Sequence, residues 1–488
     1  MRSLRLVALL AIPAQVAFAQ QPAARGGALS LEDAISAARK NNPLYLQTEN
    51  GLRIQDAQVR AAYGQLLPRA SAGFGTRYQQ GGTQYYQGVA LGGGSTDAYS
   101  SQYFVGLNYD VTAAIRYAPR AAKANRDAAQ ADITSGAELL RANVTQAYIT
   151  ALQSEATAAV LDTLVETASG QLDLVNAKMK VGAGTIIDVR GAEVALGQAR
   201  VNALTAHNTA EINKLRLYQV MGVPAELSTK LTTTFQVAEP KFSLDSLIDL
   251  ARRVNPDLAA RKSRQTAAEA EIGVAKSSYL PTLSLGTGYS TQAFGYANSD
   301  VLVQQAVVGA AGNWRNCLTA DSIRVGAGLA AKGCGTGTLS EETLSEIRAS
   351  NKPFKFNKAP YGVSASLSLP IFNGFVREQS MENARVQRDN AVYDVRARNL
   401  QLTTDVTQAY LNLVTAAKTV ELQTQIAAKA AEDFALSEAS YRVGARTFLD
   451  VNTARAQYER TQIDRVNAVY EYHKAFAALE NAVGRPLR

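Results

Sequence analysis

The chain has 488 residues, with 50 Lys and Arg against 42 Asp and Glu, for a formal net charge of +8. Over this length the excess is mild, and basic and acidic residues alternate along stretches such as ARVQRDNAVYDVRARN (384–399), so solvated helix faces displace any nucleic-acid footprint. Hydrophobic residues make up 47%, but they are scattered as Ala, Leu and Val. No later apolar run reaches the length of a transmembrane helix, and the pattern suits long helices packed on one another.

The opening MRSLRLVALLAIPAQVAFAQQ has Arg2 and Arg5, an apolar run from Leu6 to Ile12, and Ala17-Phe18-Ala19. It reads as a secretory signal peptide over residues 1–19. Its removal takes two positive charges and leaves +6. No Cys stands directly after the expected cleavage site, so a lipid anchor at that point is not expected.

The rest of the chain is one unit written twice. Ser30-Leu31 and Ser243-Leu244, Asn42-Pro43 and Asn255-Pro256, and Leu67-Pro68 and Leu280-Pro281 repeat at a shift of 213. VTQAY (144–148 and 406–410), VGAGTIIDV (181–189) with VGARTFLDV (443–451), and MGVP (221–224) with VGRP (483–486) repeat at a shift of 262. The difference is an insertion of about fifty residues in the second copy, around Trp314, Cys317 and Cys334. The repeats are placed at 20–229 and 230–488. Internal duplication organises the whole chain.

Each copy has the same plan. A helix runs to the Asn-Pro pair and a second one to the Leu-Pro pair, since proline and the residue before it interrupt a helix. The hydrophobic period then becomes two. Strands are expected over 70–79, 102–111, 282–290 and 361–371, each with an apolar face and a small or polar one, as a membrane β-barrel requires. Half of a soluble sandwich would also fit four such strands. A Gly/Ser/Tyr-rich loop, or the inserted loop, joins each pair as in a hairpin.

The helical period then returns. From about Thr112 to Lys180 only Pro119 intervenes, and such a helix would reach roughly 100 Å. Leu161, Val165, Ala168, Leu172, Val175 and Met179 form a heptad seam. The second copy keeps Ala427, Ala430, Phe434 and Tyr441, with Gln423 and Ser437 weakening the seam. A Gly-containing turn and a returning helix complete an antiparallel hairpin in each copy. At its tip, Thr185 to Asp188 and Thr447 to Asp450 have the form of a capping box. Gly182 and Gly444 supply the turn.

The ordered motifs now carry a resemblance. The duplicated halves, the Asn-Pro and Leu-Pro pairs, SLPIFNGFVRE (368–378), VTQAYLNLV (406–414), YRVGARTFLDVNTARAQYE (441–459) and the closing VGRP resemble the TolC family of outer-membrane efflux proteins. The resemblance implies a homotrimer in outer-membrane lipid. Each protomer would give four strands to a shared twelve-stranded barrel and its helices to a hollow α-barrel crossing the periplasm. It implies a periplasmic adaptor at the tip and an inner-membrane pump, proton-driven or ATP-driven, behind it. Tyr441, Arg446 and Asp450 stand where the family places its tip-closing network, and Asp188 matches the first-copy Asp. Val181, Gly182, Thr185, Val443, Gly444 and Thr447 form the turn that adaptors meet. Departures are Thr453 where some relatives carry a second Asp, Met179 opposite Tyr441, and a first strand-to-helix junction, NYDVTAAIRY, without the P-[IL]-F-x-G form.

Cys317 and Cys334 are close enough in an exported chain to pair, which loop entropy would value at roughly 3 kcal/mol. A metal or redox site there lacks a nearby His or a C-x-x-C spacing. The family's orientation puts the pair outside the cell. An enzyme is not expected. His207 and His473 are unrelated by the repeat shift and sit in no triad or metal spacing, and nothing asks for a cofactor. The competing architecture is a soluble periplasmic coiled-coil adaptor. Among ducts, small-molecule efflux and type I protein secretion both fit.

Overall fold

A computed structural model describes residues 27–82, 85–87, 89–90, 96–238, 241–356 and 360–487. The expected signal peptide lies outside them. In chain order the elements are β1 (Ala28–Leu29), α1 (Leu31–Asn41), α2 (Pro43–Gly64), β2 (Arg69–Gln79), β3 (Tyr85–Tyr86), β4 (Val89–Ala90), β5 (Ala98–Val111), α3 (Ala114–Lys180) and α4 (Ile186–Met221). The second copy gives β6 (Lys230–Leu231), α5 (Leu244–Val254), α6 (Pro256–Ser277), β7 (Thr282–Tyr296), α7 (Asp300–Gly326), α8 (Glu341–Ser350), β8 (Tyr361–Ser368), α9 (Val376–Arg442) and α10 (Phe448–Val483).

The duplication is visible in the helix lengths. α1 and α5 have 11 residues each, α2 and α6 have 22, α3 and α9 have 67, and α4 and α10 have 36. In space the chain forms two units, and each draws on both copies. One comprises residues up to Asp56, Lys123–Ala268 and Gln387–Arg488; the other comprises Ala57–Ala122 and Glu269–Val386. No helix among the described residues is long and apolar enough to cross a membrane.

The helical unit holds two matching cores. Ala38, Leu140, Val144, Leu217 and Met221 are buried together in the first copy. Ala251, Leu402, Val406, Leu479 and Val483 occupy the corresponding places in the second. The Asn-Pro pair closes each core. The Asn42 side-chain oxygen accepts from the Tyr45 N–H (3.0 Å), and its amide donates to the Val220 carbonyl (2.7 Å). Asn255 does the same with Leu258 (3.1 Å) and Ala482 (3.0 Å). One amide thus caps the start of α2 or α6, beside a proline suited to a first helical position, and satisfies a carbonyl at the end of α4 or α10.

The Gly of the closing Gly-x-Pro lies against this clip. Gly222 and Gly484 have φ of 73° and 93°. A Cβ on Gly222 would stand 2.6 Å from the Asn41 carbonyl oxygen, and one on Gly484 would stand 2.6 Å from Pro256 Cδ. Only glycine tolerates both the left-handed backbone and that approach.

The second unit carries a four-stranded antiparallel sheet in the order β2-β5-β7-β8. Its register places Ala72, Val105, Tyr289 and Tyr361 in one row and Ala70, Leu107, Thr287 and Val363 in another, on the same face. The opposite face shows the row Ser71, Gly106, Gly288 and Gly362. The alternation expected for a barrel wall is therefore present across all four strands, and β2 and β8 are its two edges.

Three boundaries differ from the sequence reading. β5 starts at Ala98 rather than 102, and β7 runs to Tyr296 rather than 290. These two strands pair residue for residue from Ala98–Tyr296 to Val111–Leu283, so ladder bonds carry them past the Ser- and Gln-rich ends where the alternation fades. β8 stops at Ser368 rather than 371, because Pro370 has no N–H to continue the ladder. The inserted residues, read as a loop, contain helices α7 and α8. Their Ala, Leu and Glu content without proline permits helix.

Removing either clip should loosen its repeat. Asn42→Ala and Asn255→Ala are each expected to cost about 2 kcal/mol through a lost cap and an unpaired, half-buried carbonyl. The check is a lower thermal midpoint by circular dichroism for each variant, with the larger drop in the double variant.

Candidate functional site: the hairpin tips

The hairpins α3–α4 and α9–α10 pack on each other near their tips. Val175, Val189 and Ala192 of the first share a buried cluster with Phe434, Tyr441, Val451 and Ala454 of the second. Each tip is a tight turn after the long helix, with φ of 76° at Gly182 and 81° at Gly444. Each then enters a reciprocal capping box. The Asp188 N–H donates to the Thr185 hydroxyl (3.2 Å), while the Asp188 carboxylate accepts from the Thr185 N–H (3.0 Å). Asp450 and Thr447 repeat this at 3.3 and 2.9 Å.

The Asp450 side chain remains exposed, and Asp188 is half-buried. The Thr447 hydroxyl, then its N–H, then the Arg446 charge hold the Asp450 carboxyl below the usual carboxylate range. An Asp also suits the positive end of the helix dipole.

Tyr441 is buried at the junction of the hairpins, 5% exposed. Its hydroxyl has no hydrogen-bond partner among the described residues. Burial pushes the phenol up, and the nearby Asp188 charge adds to it. Lys178 of the first hairpin places Nζ 3.9 Å from the centre of the Tyr441 ring and donates to the Tyr441 carbonyl. A cation over a desolvated aromatic face is worth about 2 kcal/mol. Met179, the counterpart of Tyr441, packs at the edge of the shared cluster.

Arg446 turns back along its own hairpin. It donates to the Ser437 hydroxyl and stands 3.8 Å from Asp433. Ser437, which weakens the apolar seam in sequence, is fully buried, at 0% exposure, and serves as an acceptor for Arg446. The four residues named from sequence thus fall into two pairs. Tyr441 lies near Asp188, and Arg446 near Asp450.

The turn residues Val181 and Val443 stand out into solvent. So do Ile187 and Leu449, which the sequence reading passed over. Both tips use the inner positions of the capping box for large apolar side chains, and that was the available signal. Lys178 was also missed, because its aromatic partner lies 263 residues away. Cys317 and Cys334, in the other unit, are joined in a disulfide. His207 lies on the surface 3.0 Å from Asp162, and His473 stacks among Phe235, Tyr470 and Tyr472.

The chain matches the outer membrane efflux protein family over residues 34–223 and 335–485. It belongs to that family. The TolC-like motifs point to the same group, which includes TolC itself among the chain's relatives. The toluene efflux pump outer membrane protein TtgF of Pseudomonas putida is 26% identical over 264 residues, 54% of each chain. The alignment therefore spans about half the length of that relative. The pyoverdine export outer membrane protein OpmQ of Pseudomonas putida is 22% identical over 468 residues, 91% of this chain and 85% of its own. The fold is similar to the Campylobacter jejuni CmeC outer membrane channel, with a TM-score of 0.69, 16% identity, and coverage of 93% of this chain and 85% of that one.

The depressed Asp450 pKa has a sign. Its contribution is present above the ordinary aspartate pKa of about 3.9 and is lost as pH falls through the lower folded value. Asp450→Asn should therefore unfold at a lower temperature than wild type at neutral pH. The gap should close on acidification, as read from melting curves across a pH series.

Proposed function

We propose that this protein is a trimeric outer-membrane exit duct, gated at its hairpin tips, that expels substrates delivered by a periplasmic adaptor and an inner-membrane pump. The observation that carries the reading is the one-sided sheet. Val105, Tyr289, Tyr361, Val363 and Leu367 lie exposed on its apolar face. In water that face would be a liability, whereas against lipid it is a wall. The edges β2 and β8 need further strands, since open backbone edges do not persist in hydrocarbon. Three copies close the barrel with every edge paired. A soluble periplasmic adaptor has no use for such a face.

At the tip, Asp188 and Asp450 recur around the trimer axis and focus a negative potential that favours cations at the closed mouth. The exposed valines and Ile187 and Leu449 offer the adaptor an apolar footing on both hairpins. Two contacts hold the resting state: Lys178 on Tyr441 between hairpins, and Arg446 on Ser437 and Asp433 within one. Each contact is worth at most a few kcal/mol, so adaptor binding shifts the balance with modest energy. Substrate moves through an open bore, and the chemistry that powers it belongs to the pump. Small-molecule efflux is the favoured use, as two relatives are named for toluene efflux and pyoverdine export.

The test is single-channel conductance of the detergent-extracted trimer in a planar bilayer. Small, uniform, cation-favouring steps are expected from the wild type. Arg446→Ser and Lys178→Met should each raise the conductance. Unchanged steps in assembled variants would remove the gate assignment, and a soluble monomer would remove the duct.

A further inference from the structure

The residues inserted between β7 and β8 have no role in the duct or its tip. Their helix α7 opens with a run, Val301–Trp314, that contains no charged residue. No residue of α7 is buried. Val308 and Ile323 are 67% and 68% exposed. The run's polar side chains are only Gln304, Gln305 and Asn313, and an uncharged run of this length suits an interfacial segment rather than a span.

The path of the chain after α8 shows on which side of the sheet the insert is fastened. Asn351 accepts from the Tyr296 N–H (2.9 Å) and donates to its carbonyl (2.8 Å). A Cβ on Gly295 would meet Asn351 Oδ1 at 3.1 Å and the Pro353 nitrogen at 3.4 Å. Farther across, the Phe354 ring lies 6.4 Å from Phe74, and the Phe356 ring 5.0 Å from Tyr103. By register, Gly295, Tyr103 and Phe74 share the face of Tyr289, Val105 and Ala72. Ser101 and Ala293, between these points on that face, are 1% and 3% exposed. Residues 351–356 thus strap the apolar face itself, across β7, β5 and β2. A second copy would meet the sheet along its edges, whereas lipid meets it on this face.

We propose that α7 and the strap form an outer-leaflet anchor. The uncharged run of α7 lies at the boundary of headgroups and acyl chains, with Val301, Val303, Val307 and Val308 toward the lipid, and Phe354 is set between Lys352 and Lys355, whose ammonium groups reach headgroup phosphates. This rests on the duct reading, which makes the strapped face the lipid-facing one. The disulfide Cys317–Cys334 and the indole of Trp314, which donates to the Gly335 carbonyl at 3.0 Å, fix the far part of α7 to the loop beyond it. They hold the helix as a shaped element.

Trp314 is the chain's single tryptophan, so its fluorescence reports this helix alone. The full-length trimer is reconstituted into phosphatidylcholine vesicles with brominated or plain acyl chains. Brominated lipid is expected to lower Trp314 emission at least about twofold, as for an interfacial helix. Val308→Trp in a Trp314→Phe background should be quenched as strongly. Emission quenched by aqueous iodide but not by bromolipid would overturn the proposal by placing the helix in water. Emission from the Val308→Trp probe shielded from both would overturn it in favour of contact between copies. Conductance of the same vesicles keeps the readings apart: a conducting, unquenched trimer fails the anchor alone, and a protein that does not insert fails both.

Discussion

The contact on which the helical unit depends is a single asparagine amide used at both ends. Asn42 and Asn255 start one helix with the side-chain oxygen and finish another with the nitrogen, reaching 178 and 227 residues along the chain to do so. The prolines beside them and the left-handed glycines against them leave little freedom at the junction. A hairpin anchored at its base in this way delivers its tip to a defined place. Because the two clips match atom for atom, the two hairpins of a protomer leave their cores alike, and the shared packing around Tyr441 becomes possible.

The repeat is what made the chain legible. Shifts of 213 and 262 aligned landmarks that the structure then brings together, since the Asn-Pro pair and the Gly-x-Pro stop are two sides of one clip. Period-two alternation exposed the strands, and the Thr-x-x-Asp spacing exposed the caps, because both are local rules. Contacts between distant segments left no such trace. Nothing near Lys178 announces Tyr441. Ser437 looked like a flaw in a seam until Arg446 supplied its partner. The strand ends were blurred where pairing, rather than alternation, sustains the ladder. The insert appears in one copy only, so the repeat offered no template for it.

Within the tips the copies differ at the residues of the proposed gate. Opposite Tyr441 stands Met179, opposite Arg446 stands Gly184, and opposite Lys178 stands Ser440. The first hairpin lends a cation and the second an aromatic ring and a guanidinium. The capping boxes, by contrast, are conserved in form between the copies, with near-equal distances. One part of each tip therefore preserves the turn, while the rest distinguishes the hairpins from one another.

The equal helix lengths have a consequence of their own. α3 and α9 both run for 67 residues and α4 and α10 for 36. An unbroken helix is a ruler, in which each added residue advances the tip by about 1.5 Å and turns it by about 100°. One residue gained in α9 alone would carry Tyr441 off the face that meets the first hairpin unless a π-bulge absorbed it. Otherwise length changes in these helices are tolerable only in step, in both copies and in both arms of a hairpin. The one large insertion this chain has accepted sits between two strands, where the ruler does not reach.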